Sequence, residues 1–117
     1  MAQDAPQTPI AAPKRIQRQR TKGWRMPPNT VYVGRPTKFG NPFVPPYRSR
    51  EHVLMDVERF RIWVTARRDL FPYRVPPSLS EIRELRGKDL ACWCPLVDKD
   101  GNPVPCHADV LLELANA

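Results

Sequence analysis

The chain has 117 residues, enough for one domain around one modest core, and a formal net charge of +7. No apolar run approaches the ~20 residues of a membrane span, and Met1–Pro9 lacks the apolar core of a signal peptide. The expectation is a cytoplasmic protein with no membrane partner and with reduced thiols. Three cysteines are also an odd number, which excludes a complete intrachain disulfide framework.

The charge is uneven. Residues 1–25 hold six cations (Lys14, Arg15, Arg18, Arg20, Lys22, Arg25) against Asp4, a net +5. Residues 26–117 hold thirteen cations against eleven acids, a net +2. Residues 1–22 have few large apolar side chains and several prolines, so a disordered basic arm is expected there, followed by one domain over residues 23–117. An arm of this kind can hold nucleic acid through phosphate contacts, with Trp24 beside Arg25 to stack on a base; a solvated tail and a packed Trp24 are the plain alternatives.

Thr30–Val33 is rich in β-branched and aromatic residues and is expected to be a strand. It runs into the loop Gly34–Phe43. Gly34 and Gly40 permit close backbone approach, Arg35 and Lys38 supply cationic charge, and Asn41 adds a polar side chain, a combination suited to phosphate or carboxylate. Neither a Walker loop nor Gly-x-Gly-x-x-Gly is present, and a rigid turn fits the same composition.

Ser49 can cap a long helix with Val53, Val57, Phe60 and Val64 on one stripe, joined by Trp63. His52 in that helix reads as a surface residue. A proline-rich connection follows. Ser78 and Glu81 then form a capping box for a short helix, which Gly87 ends.

The run Leu90–Trp93 is a second expected strand, stopped by Pro95. Alternation puts Cys92 and Cys94 on one face. A turn-rich loop over residues 97–103 then returns Cys106 and His107 towards that strand end, ahead of a helix carrying Val110, Leu111, Leu112 and Leu114. Three chemistries fit Cys92, Cys94, Cys106 and His107. Zinc takes four such ligands in a tetrahedron, although Cys-x-Cys with an adjacent Cys-His is not the usual spacing. A reactive thiol at Cys106, beside an imidazole and a helix start, is the second. Small buried cysteines with His107 at a helix cap are the third. Asp109 can accept from a ligand hydroxyl, act as a base, or simply favour the helix dipole.

Two short strands joined by a helical crossover are expected to be parallel, so both following loops would meet at the carboxyl edge, where ligands bind in open α/β sheets. The expected fold is a small Rossmann-like α/β domain with a short, mostly parallel sheet and about three helices. A further pairing is expected around Asn41–Val44, since two strands make a marginal sheet.

Lys22–Pro27, Val31–Pro36, Phe39–Phe43, Leu85–Lys88, Leu90–Pro95 and Pro105–Leu111 together resemble the domain of unknown function 4326, over about residues 22–116. That resemblance implies a bacteriophage or bacterial setting, hence a bacterial host cell, and carries no reaction with it. The leading expectation is binding of a nucleotide or related anionic ligand by Gly34, Arg35, Lys38, Gly40 and Asn41. The Cys/His cluster would form the opposite wall. An enzyme would then process nucleotides or nucleobases, with Cys106, His107 and Asp109 as catalytic candidates. The rival is a non-enzymatic nucleic-acid binder that uses the arm, with structural cysteines. A host-interaction protein without a small ligand is a third.

Overall fold

The computed structural model describes residues 12–43 and 49–117. Its elements in chain order are β1 (Arg15–Gln17), β2 (Thr30–Tyr32), α1 (Arg50–Thr65), α2 (Leu79–Arg83), β3 (Asp89–Cys92) and α3 (His107–Ala115). The three strands form one sheet in the order β1-β3-β2, and β3 is parallel to both neighbours. The fold is therefore a small α/β domain, as expected, with the two expected strands each within a residue of their predicted bounds.

The sheet's third strand is not where it was expected. Arg15, Ile16 and Gln17 pair with Leu90, Ala91 and Cys92, so the arm is not disordered throughout. Residues 1–11 lie outside the described residues. Asn41–Phe43 form no strand, and Val44 also lies outside the described residues. The backbone explains why β1 holds with one apolar residue: Leu90 N–H donates to the Lys14 carbonyl (3.0 Å), and Arg18 N–H donates to the Cys92 carbonyl (2.8 Å). Lys14 N–H also donates to the Asp89 carboxylate at 2.9 Å. Pairing to a central strand supplies what side-chain propensity does not.

β3 is covered on both faces: Leu90, Ala91 and Cys92 are buried, as expected for the centre of a parallel sheet. Helix α3 packs on β3 and β1, and α1 and α2 pack on α3. The core under this arrangement contains Val33, Phe60, Trp63, Ile82, Leu90 and Leu111. Phe60 and Trp63 are fully buried, so α1 brings two large rings into the core, each stabilising by about 25 cal/mol per Å² of apolar surface removed from water.

Each helix start has a local cause. The Ser49 hydroxyl accepts from His52 N–H, and the Ser78–Glu81 capping box forms in both directions. At α3, Cys106 N–H donates to Asp109 Oδ2 at 2.9 Å. The proline-rich connection before α2 is anchored by Arg68, which donates to the Pro76 and Pro77 carbonyls at 2.7 and 3.1 Å. Among the described residues no helix is long and apolar enough to cross a membrane.

Candidate functional site

All three strands run the same way, so the segments after them leave from one edge. These are Arg18 after β1, the Gly34–Phe43 loop after β2 and Trp93-Cys94 after β3. Between the second and third lies a cavity of about 270 Å³. Gly34, Arg35, Asn41 and Phe43 line it from one loop, and Cys92, Trp93, Cys94, Cys106 and His107 line it from the other. Tyr32 and the α1 residues Val53, Asp56 and Val57 close it.

The sulfur atoms of Cys92, Cys94 and Cys106 lie within 4.8 Å of one another. Cys92 Sγ and Cys106 Sγ are 3.3 Å apart, and neither cysteine is in a disulfide. Tetrahedral zinc, with Zn–S of about 2.3 Å, would set neighbouring sulfurs roughly 3.8 Å apart. To take an ion, Cys92 and Cys106 would part by about half an ångström, and no pair of sulfurs would have to close by more than about 1 Å.

Proton affinity is split across the cluster. Cys94 is held far below the usual thiol range because Cys106 and then Cys92 donate to it, with the Arg15 guanidinium adding favourable charge. Cys106 is pushed up by its bonds to Cys92 and Cys94 and by burial. Cys92 is drawn down by Cys106 but ends raised, through Cys94 and burial. Of the three, Cys94 is the sulfur that gives up its proton most readily. The N-terminus of α3 begins at this point and favours that negative charge.

His107 is buried, and burial lowers its pKa, so the ring is neutral. Nε2 lies 2.9 Å from the Val33 carbonyl, which can only accept. Nε2 therefore carries the proton, and Nδ1 presents a lone pair 3.4 Å from Cys106 Sγ. A histidine whose distal N–H is fixed on a carbonyl is the usual arrangement of a metal-binding imidazole. His107 nevertheless stands outside the set of mutually close sulfurs.

The loop candidates divide. Arg35 is exposed and, among the described residues, has no ion-pair partner. Lys38 does not line the cavity: Nζ pairs with Glu81 at 2.7 Å. Gly40 lies behind the wall, where its carbonyl accepts from Arg74. The Thr37 and Gly40 amides bond to the Gly34 and Thr37 carbonyls, so these two are engaged within the loop. Gly34 is needed for internal packing, since a Cβ would lie 2.5 Å from the Tyr32 hydroxyl. Buried Asn41 reaches the Asp56 carbonyl (3.3 Å) and accepts from Phe43 N–H (2.9 Å), which ties the loop to α1.

Asp109 is not in this cavity. Its Oδ2 accepts from Arg15 at 3.0 Å as well as from Cys106 N–H. The arm residues are equally specific. Arg15 is almost fully buried and donates to the Pro95 and Val104 carbonyls as well as to Asp109. The Arg18 guanidinium lies over the rings of Tyr32 (4.6 Å) and Trp93 (4.7 Å), and that of Arg20 lies over Trp93 (4.4 Å). Lys14, Lys22 and Arg25 are exposed, and Trp24 is half-buried. Tyr32, Trp93 and Asp56 are lining residues that sequence reasoning did not single out. Only the position of the first two beside strand ends hinted at it.

These features define a small α/β domain with a thiol-walled cavity at the carboxyl edge of a parallel sheet. The chain belongs to the family described as Domain of unknown function (DUF4326), whose profile matches residues 16–117. The match takes in Ile16 and Gln17 of β1, ahead of the sequence motifs. No curated protein and no solved structure matches the chain.

Proposed function

We propose that the protein binds a nucleotide, or a related ligand joining an anionic group to a flat ring, in the cavity at the carboxyl edge. The observation that carries this reading is that one cavity draws Arg35 from one loop and the three cysteines from the other. Arg35 offers a planar fork of donors suited to phosphate or carboxylate. Phe43, Tyr32 and Trp93 offer ring surface. The volume of about 270 Å³ is near the lower end for small-ligand pockets, which suits one base and its sugar.

We further propose zinc on Cys92, Cys94 and Cys106, whose sulfurs fit the ion as described. His107 Nδ1 or a donor from the ligand would complete the tetrahedron. Bound there, zinc would supply Lewis acidity facing the cavity. The chain's own groups would do the rest: Arg35 orients the anion, Asn41 holds the loop, and the Val33 carbonyl fixes the His107 tautomer.

Titration calorimetry with the nucleoside monophosphates tests the reading. Wild type is expected to bind at least one of them, and Arg35→Ala to weaken it by about tenfold or more, the value of a lost charge-assisted bond. A wild type that binds none of them, with its metal content restored, would overturn it.

A further inference from the structure

Beyond the cavity, at its mouth, two arginines from the segment after β1 lie over aromatic rings that also line the cavity. Arg18 is over Tyr32 and Trp93, Arg20 is over Trp93, and Trp93 is 38% exposed as a residue. Among the described residues neither arginine has an ion-pair partner, and neither does Arg35, which lines the cavity from the Gly34–Phe43 loop.

We infer that the cavity takes its ligand from a single-stranded nucleic acid, with one base entering beside the cysteine cluster and flanking phosphates held by Arg18 and Arg20. This rests on the nucleotide reading of the cavity and extends it. Charge complementarity supports it: a free mononucleotide has one phosphate end, which Arg35 alone can satisfy. The mouth carries two more guanidinium groups, held in place by cation–π contact. A guanidinium over a ring keeps its edge donors for phosphate oxygens and offers its plane to a neighbouring base. Cationic groups interleaved with aromatic faces are how proteins hold single strands without reading sequence. The cavity of about 270 Å³ suits one base with its sugar, so the rest of a strand would lie across the mouth.

The test uses the full chain and fluorescence anisotropy with short labelled single-stranded oligodeoxyribonucleotides and oligoribonucleotides. Unlabelled nucleoside monophosphates serve as competitors, over a series of salt concentrations. A strand should bind at least about tenfold more tightly than any mononucleotide, with a log–log salt slope of about −1.4 or steeper, the value for two phosphates. Arg20→Ala should weaken the strand about fivefold and leave mononucleotide binding unchanged, and Arg20→Lys should recover only part of the loss. Arg35→Ala should weaken both.

Mononucleotides bound as tightly as the strand, or a strand indifferent to Arg20→Ala, would overturn the inference and leave the pocket reading standing. Strand binding indifferent to Arg35→Ala would place the strand outside the cavity and overturn it. So would a duplex bound as tightly as the single strand. Failure of both probes would overturn both readings. Thermal melts of each variant show that a loss is not one of folding.

Discussion

Cys92 Sγ and Cys106 Sγ lie 3.3 Å apart, one at the end of a central strand and the other at the start of the last helix. The sheet and α3 set this approach, not the local chain. Protein purified without a histidine tag is expected to carry about one zinc per chain by mass spectrometry. Cys92→Ser and Cys106→Ser should both lose it, and a chelator should lower the wild-type melting temperature. A well-folded, metal-free wild type would remove zinc from the site.

Arg15 links β1 to the loop that delivers Cys106, through Asp109 and two carbonyls. Arg15→Ala leaves those acceptors without their donor and should cost about 2–3 kcal/mol in urea denaturation. Removing residues 1–11 should cost far less than removing residues 1–22, since the longer deletion takes away β1. Equal stability of the two truncations would show that β1 does not support the domain.

The Phe60 ring packs edge-on against His107, with centroids 5.2 Å apart. Phe60→Ala should destabilise the domain by about 3–5 kcal/mol. It should also weaken zinc retention, because the imbalance falls directly behind the imidazole. Competition with a colorimetric chelator reads the second effect; a loss of stability with unchanged zinc affinity would separate His107 from the metal.

Lys38 holds Glu81 well below the ordinary carboxylate range, down to about 2, through their hydrogen bond, with Ser78 adding to it. The folded-state pKa is depressed, so the stabilisation is full above the unfolded value of about 4.5 and fades as pH falls towards 2. Glu81→Gln should flatten the stability profile in that window, lowering stability modestly at neutral pH and converging with wild type as pH falls towards 2. Both groups are exposed, so added salt should shrink the effect. A profile identical to wild type between those values would show that the pair is not formed in solution.

Strands β2 and β3, the three helix starts and the meeting of two loops at one edge were legible because each has a local cause. Thr30–Tyr32 is β-branched, Ser78–Glu81 is a capping box, and parallel strands must share an edge. Strand β1 was not legible. Arg15-Ile16-Gln17 carries no period-2 signal beyond Ile16, and its hydrogen bonds come from residues far along the chain. The same blindness affected Lys38 and Asp109, which look available in sequence but are engaged by Glu81 and Arg15. Asp56 sits on α1 where a charge reads as solvated, yet the loop carrying Asn41 covers it.

The order β1-β3-β2 has a kinetic consequence. The middle strand is the last of the three to be synthesised, and the two outer ones have no pairing with each other. No part of the sheet can form on the ribosome until Asp89–Cys92 has emerged, and closing it joins Lys14 to Asp89, 75 positions apart. Folding should therefore be slow for a domain of this size and concerted, with the basic segment left unpaired until β3 has emerged.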